Sequence, residues 1–282
     1  MQILFFLIPT VLISRIIGIL VSIPAPHALW QLVIRWFCRQ YRVDTSEAAL
    51  PLSEYKNLAD FFVRDLKQGL RPVGAGLVAP VDGTLRNSGI IRSEHLPQIK
   101  GRYYRLRDLL HDEALERYYQ GGHYLNLYLS PRDYHHIHAP IDGYIERVSY
   151  APGRLLPVND LSMSTINNVF GVNERVSIVI RTPDDHLVTV TMVGALNVGK
   201  MILTFDGALT QRIKHSLFGG SPFNYRYQNK EMAVSKGARI GTFELGSSVV
   251  VLTPRAYLSL NSETTEPHSV RYGESIEPRL RT

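Results

Sequence analysis

The chain has 282 residues, 45% of them hydrophobic and 20% charged, a composition that excludes a disordered chain and leaves room for a catalytic domain with an appendage. A formal charge of +6 favours an anionic partner without choosing among nucleic acid, acidic lipid and an anionic substrate. Cys38 is the only cysteine, so an intrachain disulfide and a cysteine-based zinc site are both excluded.

Residues 3–23 are almost wholly apolar, with Arg15 as the only charge, and are long enough to cross a bilayer. Pro9 breaks the run early, and Thr10, Ser14, Arg15, Gly18 and Ser22 share one side of a helical wheel. That spacing predicts a helix lying in the membrane interface. No basic residue precedes the run and no small-x-small site follows it, which argues against a cleaved signal peptide. From His27 to Arg42, Gln31, Arg35, Arg39 and Arg42 recur at helical spacing beside Leu29, Trp30, Val33, Trp36 and Phe37. Such a helix suits anionic headgroups and acyl chains, although a core helix of a soluble protein has a similar pattern. A third helix is predicted from Asn57 to Lys67, with Gly69 and Pro72 ending it.

Near residue 72 the pattern changes to short alternating runs, marking a boundary between a helical region, 1–72, and a β-rich domain, 73–282. Strands are predicted at His123–Ser130, Arg175–Arg181, Leu187–Val193, Arg239–Glu244 and Val249–Thr253. The fold class is α+β, with amino-terminal membrane-associated helices followed by a mainly antiparallel domain. There is one internal echo: Ala79-Pro80-Val81-Asp82-Gly83 resembles Ala139-Pro140-Ile141-Asp142-Gly143. Proline and Asp-Gly make tight turns, so Asp82 is open to a structural or a chemical reading, and Asp142 reads as structural.

Two clusters carry candidate chemistry. Ser130-Pro131-Arg132-Asp133-Tyr134-His135-His136-Ile137-His138 places three histidines in four residues; in an extended strand His136 and His138 share one face and His135 takes the other. A His-x-His pair can bind zinc, with His123 and Asp82 as further candidates, so a zinc hydrolase built on the His135–His138 cluster is the alternative function. No His-Glu-x-x-His motif supports it. In the second cluster, Leu245-Gly246-Ser247-Ser248, Gly246 removes hindrance beside Ser247 and permits strained backbone. The Gly-x-Ser-x-Gly elbow of serine hydrolases is absent, because Val249 takes the place of its second glycine.

These segments resemble the phosphatidylserine decarboxylase family. Leu245-Gly246-Ser247-Ser248 is similar to the family's self-cleaving Leu-Gly-Ser-Thr motif, Tyr128 to His138 to its histidine motif, and Pro80-Val81-Asp82-Gly83 to its aspartate turn. Phe61-Phe62-Val63-Arg64 and Phe170-Gly171-Val172-Asn173-Glu174-Arg175 also match family segments, in the family's order. Ser248 departs from the usual threonine, keeps a hydroxyl, and could compete as nucleophile.

The resemblance implies a catalytic set of Asp82, His138 and Ser247, in which His138 takes the serine proton while Asp82 orients the ring. Ser247 then attacks the Gly246 carbonyl. Cleavage between 246 and 247 would give a large chain, 1–246, and a small chain, 247–282, with Ser247 converted to a pyruvoyl group, the implied cofactor. That group would form a Schiff base with phosphatidylserine, and decarboxylation would yield phosphatidylethanolamine and CO2. His135 is implied as the donor that protonates the carbanion, a task suited to an ordinary histidine pKa near about 6.5. The implied partners are membrane phosphatidylserine and a second copy in a homodimer, not nucleic acid. The implied location is the cytoplasmic side of the cell membrane, as a peripheral or monotopic protein.

Overall fold

The computed structural model describes residues 10–98, 101–196, 200–214, 221–228, 230–244, 247–258 and 266–276. The first helix, α1 (Thr10–Leu20), turns its polar stripe inward: Thr10 and Ser14 are buried, and Thr10 Oγ1 accepts the Leu155 N–H at 3.4 Å. Leu12, Ile16, Ile19 and Leu20 are exposed instead. The stripe read from the sequence is present, and it is the apolar side that faces outward.

Helix α2 (His27–Tyr41) divides its large apolar side chains between two sides. Trp30, Ile34 and Phe37 join Leu58, Phe61 and Phe62 in one buried cluster, and Gln31 Nε2 donates to Tyr55 O at 3.3 Å. Leu29, Leu32 and Trp36 stay exposed. Trp30, Phe37 and Gln31 are therefore turned toward the protein, whereas the sequence pattern put the rings on the lipid side and Gln31 on the polar side. Helix α3 (Leu58–Phe62) starts as predicted, with Asn57 accepting the Asp60 N–H at 2.8 Å. It ends at Phe62 rather than Lys67, because Leu66 leaves the helix to pair with Ala48.

Fourteen strands follow among the described residues: β1 (Gly83–Ile90), β2 (His95–Pro97), β3 (Tyr103–Arg105), β4 (His123–Leu129), β5 (His136–His138), β6 (Gly143–Ala151), β7 (Arg175–Arg181), β8 (Leu187–Gly194), β9 (Met201–Leu203), β10 (Phe223–Arg226), β11 (Ala233–Val234), β12 (Arg239–Phe243), β13 (Ser247–Thr253) and β14 (His268–Val270). The main sheet runs β10-β6-β7-β8-β13-β4-β1-β14, with β11 also on β6. All its pairings are antiparallel. A second sheet, β5-β12-β9, lies apart from it. Strand β13 takes in Ser247 and Ser248, ahead of the predicted start at Val249, and β12 and β13 belong to different sheets: β12 pairs with β5 and β9, and β13 with β4 and β8. A separate large apolar cluster, from Leu77 to Val270, fills the β-rich part.

The repeated Ala-Pro-x-Asp-Gly turns open β1 and β6 and lock to each other. His138 N donates to Pro80 O at 2.8 Å and Val78 N to Pro140 O at 3.0 Å. Each turn also receives a glycine with positive φ: Gly273 N bonds Ala79 O at 2.9 Å, and Gly237 N bonds Ala139 O at 2.8 Å. A Cβ on Gly83 would stand 2.4 Å from Tyr128 O, and one on Gly143 2.3 Å from Arg181 O. Only glycine fits where these strands approach so closely. The sequence echo is therefore a structural repeat, and it brings β5 beside residue 82.

Candidate active site

Ser247 begins β13, between Leu129 of β4 and Gly194 of β8. It is fully buried, and its Oγ has no hydrogen-bond partner among the described residues. An unsatisfied buried hydroxyl costs about 1–3 kcal/mol, so such a group is a candidate for chemistry. Gly246, the other half of the expected cleavage site, lies outside the described residues. Strand alternation sends Ser248 to the opposite face of β13 from Ser247, which separates the second hydroxyl from the first.

The histidine segment turns before it extends. Asp133 N donates to Ser130 O at 2.9 Å, and Ser130 N to Asp133 Oδ2 at 2.7 Å; only His136–His138 forms strand. As expected for a strand, His136 and His138 share a side, with the Tyr134 ring 4.8 and 5.7 Å from theirs. His135 points elsewhere, its ring 4.1 Å from that of Phe62. His135 Nδ1 lies 2.8 Å from Asp133 O. A carbonyl only accepts, so the proton sits on Nδ1 and Nε2 carries a lone pair that is buried and unpartnered. Burial pushes the ring down to about 3. His135 is therefore neutral at rest, contrary to an ordinary histidine poised near neutrality, and it accepts a proton before it can give one.

His138 is also neutral, pushed down to about 4 by burial, which outweighs the raising effect of the nearby Asp82 charge. Its Nδ1–H goes to Gly237 O at 2.7 Å, and its Nε2 lies 3.2 Å from Tyr134 Oη. Asp82 makes no hydrogen bond to it. The Asp82 carboxylate takes Arg71 on both oxygens, with Nη2 to Oδ2 at 2.6 Å, and accepts the Tyr272 N–H at 2.9 Å. Tyr272 joins the two residues, because its ring stacks on His138 with centroids 3.8 Å apart and planes 5° from parallel. The structure thus brings both Asp82 and His138 to Tyr272, one at its backbone N–H and one at its ring, while no hydrogen bond links either to Ser247 among the described residues.

Beside Asp82 opens a cleft of about 240 Å³, whose lining includes Arg42, Arg64, Arg71, Asp133 and Tyr134. Sequence reasoning did not find Arg71, Tyr134 or Tyr272. The echo held a signal for the last, since Gly273 answers Gly237. Nothing in spacing marks Arg71.

Zinc has few nitrogen atoms to take in this segment. His136 Nε2–H donates to Val63 O at 2.9 Å and its Nδ1 accepts from Thr242 Oγ1 at 2.7 Å, and both nitrogens of His138 are engaged. Among the described residues no group of three His, Cys, Asp or Glu side chains converges on a common point.

A buried serine on one antiparallel sheet and a group of neutral, buried histidines beside the second sheet suit chemistry on the chain's own backbone or on an enclosed substrate. Comparison with known sequences supplies the family. The model of the family described as phosphatidylserine decarboxylase matches residues 58–277. Phosphatidylserine decarboxylase proenzymes from Anaeromyxobacter sp. (strain K) and Dechloromonas aromatica (strain RCB) are each 36% identical, over 96% of this chain and 95% of theirs. The proenzyme of Myxococcus xanthus (strain DK1622) is 35% identical over 95% of this chain and 94% of its own. The chain belongs to the phosphatidylserine decarboxylase family.

Proposed function

We propose that this chain decarboxylates phosphatidylserine to phosphatidylethanolamine and CO2 after cutting itself before Ser247. The observation that carries the reading is a family match over most of the chain together with a buried Ser247 hydroxyl that has no partner among the described residues, in the segment that resembles the family's self-cleaving motif. A pyruvoyl group at position 247 fits that place, which is dry and close to strand backbone on both sides.

In maturation, Ser247 Oγ attacks the Gly246 carbonyl carbon while His138 takes its proton; the amide C–N bond breaks and an ester joins the two parts. Elimination removes the Ser247 α-proton and expels the Gly246 carboxylate, leaving dehydroalanine. Hydrolysis of its imine tautomer releases ammonia and leaves the pyruvoyl group on chain 247–282, with chain 1–246 ending in a carboxylate. His138 starts neutral, as a base must, and reaches the serine proton when Tyr134 O–H yields its Nε2. Asp82 favours the charged ring through space and through the Tyr272 clamp.

The pyruvoyl group supplies a carbonyl that takes the substrate amine and an electron sink for the departing CO2. His135 Nε2 is the site assigned to the proton delivered afterwards. Its low pKa makes it a strong donor once charged.

Residues 1–72 form the membrane-association region of this reading, and 73–282 the catalytic domain. Exposed Leu12, Ile16, Ile19, Leu29, Leu32 and Trp36 support a peripheral or monotopic seat on a membrane,; the cytoplasmic face of the cell membrane is what the family resemblance implies. Among the described residues no helix is long and apolar enough to cross a bilayer. A homodimer is the assembly that family resemblance implies.

Intact-mass spectrometry of the purified protein tests the proposal. Two chains are expected, the smaller beginning with a pyruvoyl group at 247, and the Ser247→Ala protein is expected as one uncut chain. An active wild-type preparation that remains a single chain would overturn the reading.

A further inference from the structure

Arg64 is only 4% exposed, yet no carboxylate pairs with it among the described residues. Its Nη2 donates to two carbonyls, Arg132 O at 2.5 Å and Asp133 O at 3.2 Å, and its ring neighbour is Phe61 at 5.0 Å. Nη1 is buried with no hydrogen-bond partner among the described residues. A buried cation without a counterion costs several kcal/mol, so its retention calls for an anion that arrives from outside.

The cleft that Arg64 lines is built to receive one. Five arginines and four carboxylates surround it, a formal balance of +1. The carboxylates have partners already: Asp82 and Glu47 share Arg71, Asp133 holds the Ser130 N–H, and Asp44 holds Ser46. Arg42, by contrast, is exposed and forms no ion pair among the described residues. Arg132 and Arg271 stand at the mouth with side chains 55% and 65% exposed, 3.6 and 3.7 Å from acidic neighbours.

The features around the cleft match one class of ligand. Arg42 directly follows α2, whose Leu29, Leu32 and Trp36 are exposed. At the inner end, Arg64 Nη2 and His135 Nδ1 donate to the same Asp133 carbonyl. An exposed apolar helix surface, a cleft in which Arg42 and Arg64 form no ion pair among the described residues, and His135 behind the cleft's Asp133 match in kind the acyl chain, phosphodiester and amine of an aminophospholipid. We infer that this cleft is the phosphodiester subsite of the lipid substrate, with Arg64 as its inner cation and Arg42, Arg132 and Arg271 as its mouth. The assignment rests on the decarboxylase reading for its substrate, and on Arg64 and its neighbours for its place. The headgroup of phosphatidylserine carries one net negative charge, which the cleft's balance of +1 neutralises.

The test uses the full-length, self-cleaved protein with phosphatidylserine in mixed micelles, and glycerophosphoserine and inorganic phosphate as soluble competitors. Arg64→Gln is expected to raise KM by about tenfold to a hundredfold, the worth of a hydrogen bond to a charged group. The change in kcat should be about threefold or less, with both competitors weakened in step with KM and Arg64→Lys recovering part of the loss. If Arg64→Gln fails to fold, the exposed pair Arg42→Gln with Arg132→Gln carries the same measurement, with about fivefold expected. Unchanged KM and unchanged competition, in Arg64→Gln or in that pair, overturn the inference while leaving the decarboxylase reading intact. Inorganic phosphate competing alone, with glycerophosphoserine inert, also overturns it, because the site would then not accommodate a diester. Calorimetric binding of glycerophosphoserine that depends on Arg64, in a wild type that releases no CO2, would keep the phosphodiester site and remove the decarboxylase reading.

Discussion

The two Ala-Pro-x-Asp-Gly turns share a backbone and differ in what surrounds it. In both, the aspartate accepts a backbone N–H from the loop that returns to it, Tyr272 N to Asp82 at 2.9 Å and Lys236 N to Asp142 at 2.8 Å. In both, the next glycine of that loop bonds the alanine carbonyl. Only Asp82 also has a buried arginine, and Arg71 is itself braced by Glu47 at 2.6 Å. The residue that leads into the second turn is His138, where the first has Val78. In the proposed reading, function is added to one copy of a structural device by a handful of side chains, and the other copy serves as an internal control.

Replacing the aspartate should separate the copies most strongly. Asp82→Asn keeps an acceptor for the Tyr272 N–H and leaves Arg71 its Glu47 partner, but removes the charge that favours protonated His138. Self-cleavage should slow by about a hundredfold or more, the usual worth of a positioned acid-base system, as read from the ratio of cut to uncut chain over time. Cleavage at the wild-type rate would leave Asp82 a turn residue like Asp142.

Acid should break the comparison next. A ring held neutral by burial takes its proton later than the same ring in the unfolded chain. Stability is therefore complete above about pH 6.5 and is lost as pH falls toward the folded values, about 3 for His135 and about 4 for His136 and His138,. By pH 5 each ring accounts for about 2 kcal/mol. The uncut Ser247→Ala protein should lose on the order of 10 °C in Tm between pH 7 and 5. Adding His138→Val, which gives the second turn the residue of the first, should make that loss shallower. An identical acid loss with valine in place would show that the ring does not titrate as its burial requires.

Much of this frame was legible in the sequence, because local rules generate it. β7 begins and ends where alternation placed it, Asn57 caps α3, and the echo of the turns was visible as five residues repeated. The missing parts depend on partners distant in sequence. Arg71 meets Asp82 through a chain reversal that no periodicity encodes, and alternation shows that 239–243 and 249–253 are strands without saying that they enter different sheets. The helical wheel of α1 found the polar stripe but not which side the protein would cover. That ambiguity has a practical consequence for the helical region. Phe37 packs on Phe61 and Phe62, and Phe62 packs on His135, so deleting residues 1–45 would disturb the site along with any membrane contact. Leu32→Gln with Trp36→Gln changes only exposed positions. It should weaken binding to vesicles by about tenfold in a flotation assay, with self-cleavage unaltered. Undiminished flotation would remove α2 from the membrane contact.

The smallest effect should come from the control copy. Asp142 has the same backbone role as Asp82, but it carries no arginine, and its bond to Lys236 N is exposed. Asp142→Asn preserves the acceptor and should cost about 1 kcal/mol or less, with self-cleavage within about twofold of wild type. If the rate fell as far as in Asp82→Asn, the chemistry would depend on the shared scaffold. Since the two turns hold each other through Pro80 O and Pro140 O, strain entering either one would then reach β5 and His138, and the charge network around Asp82 would lose its special standing.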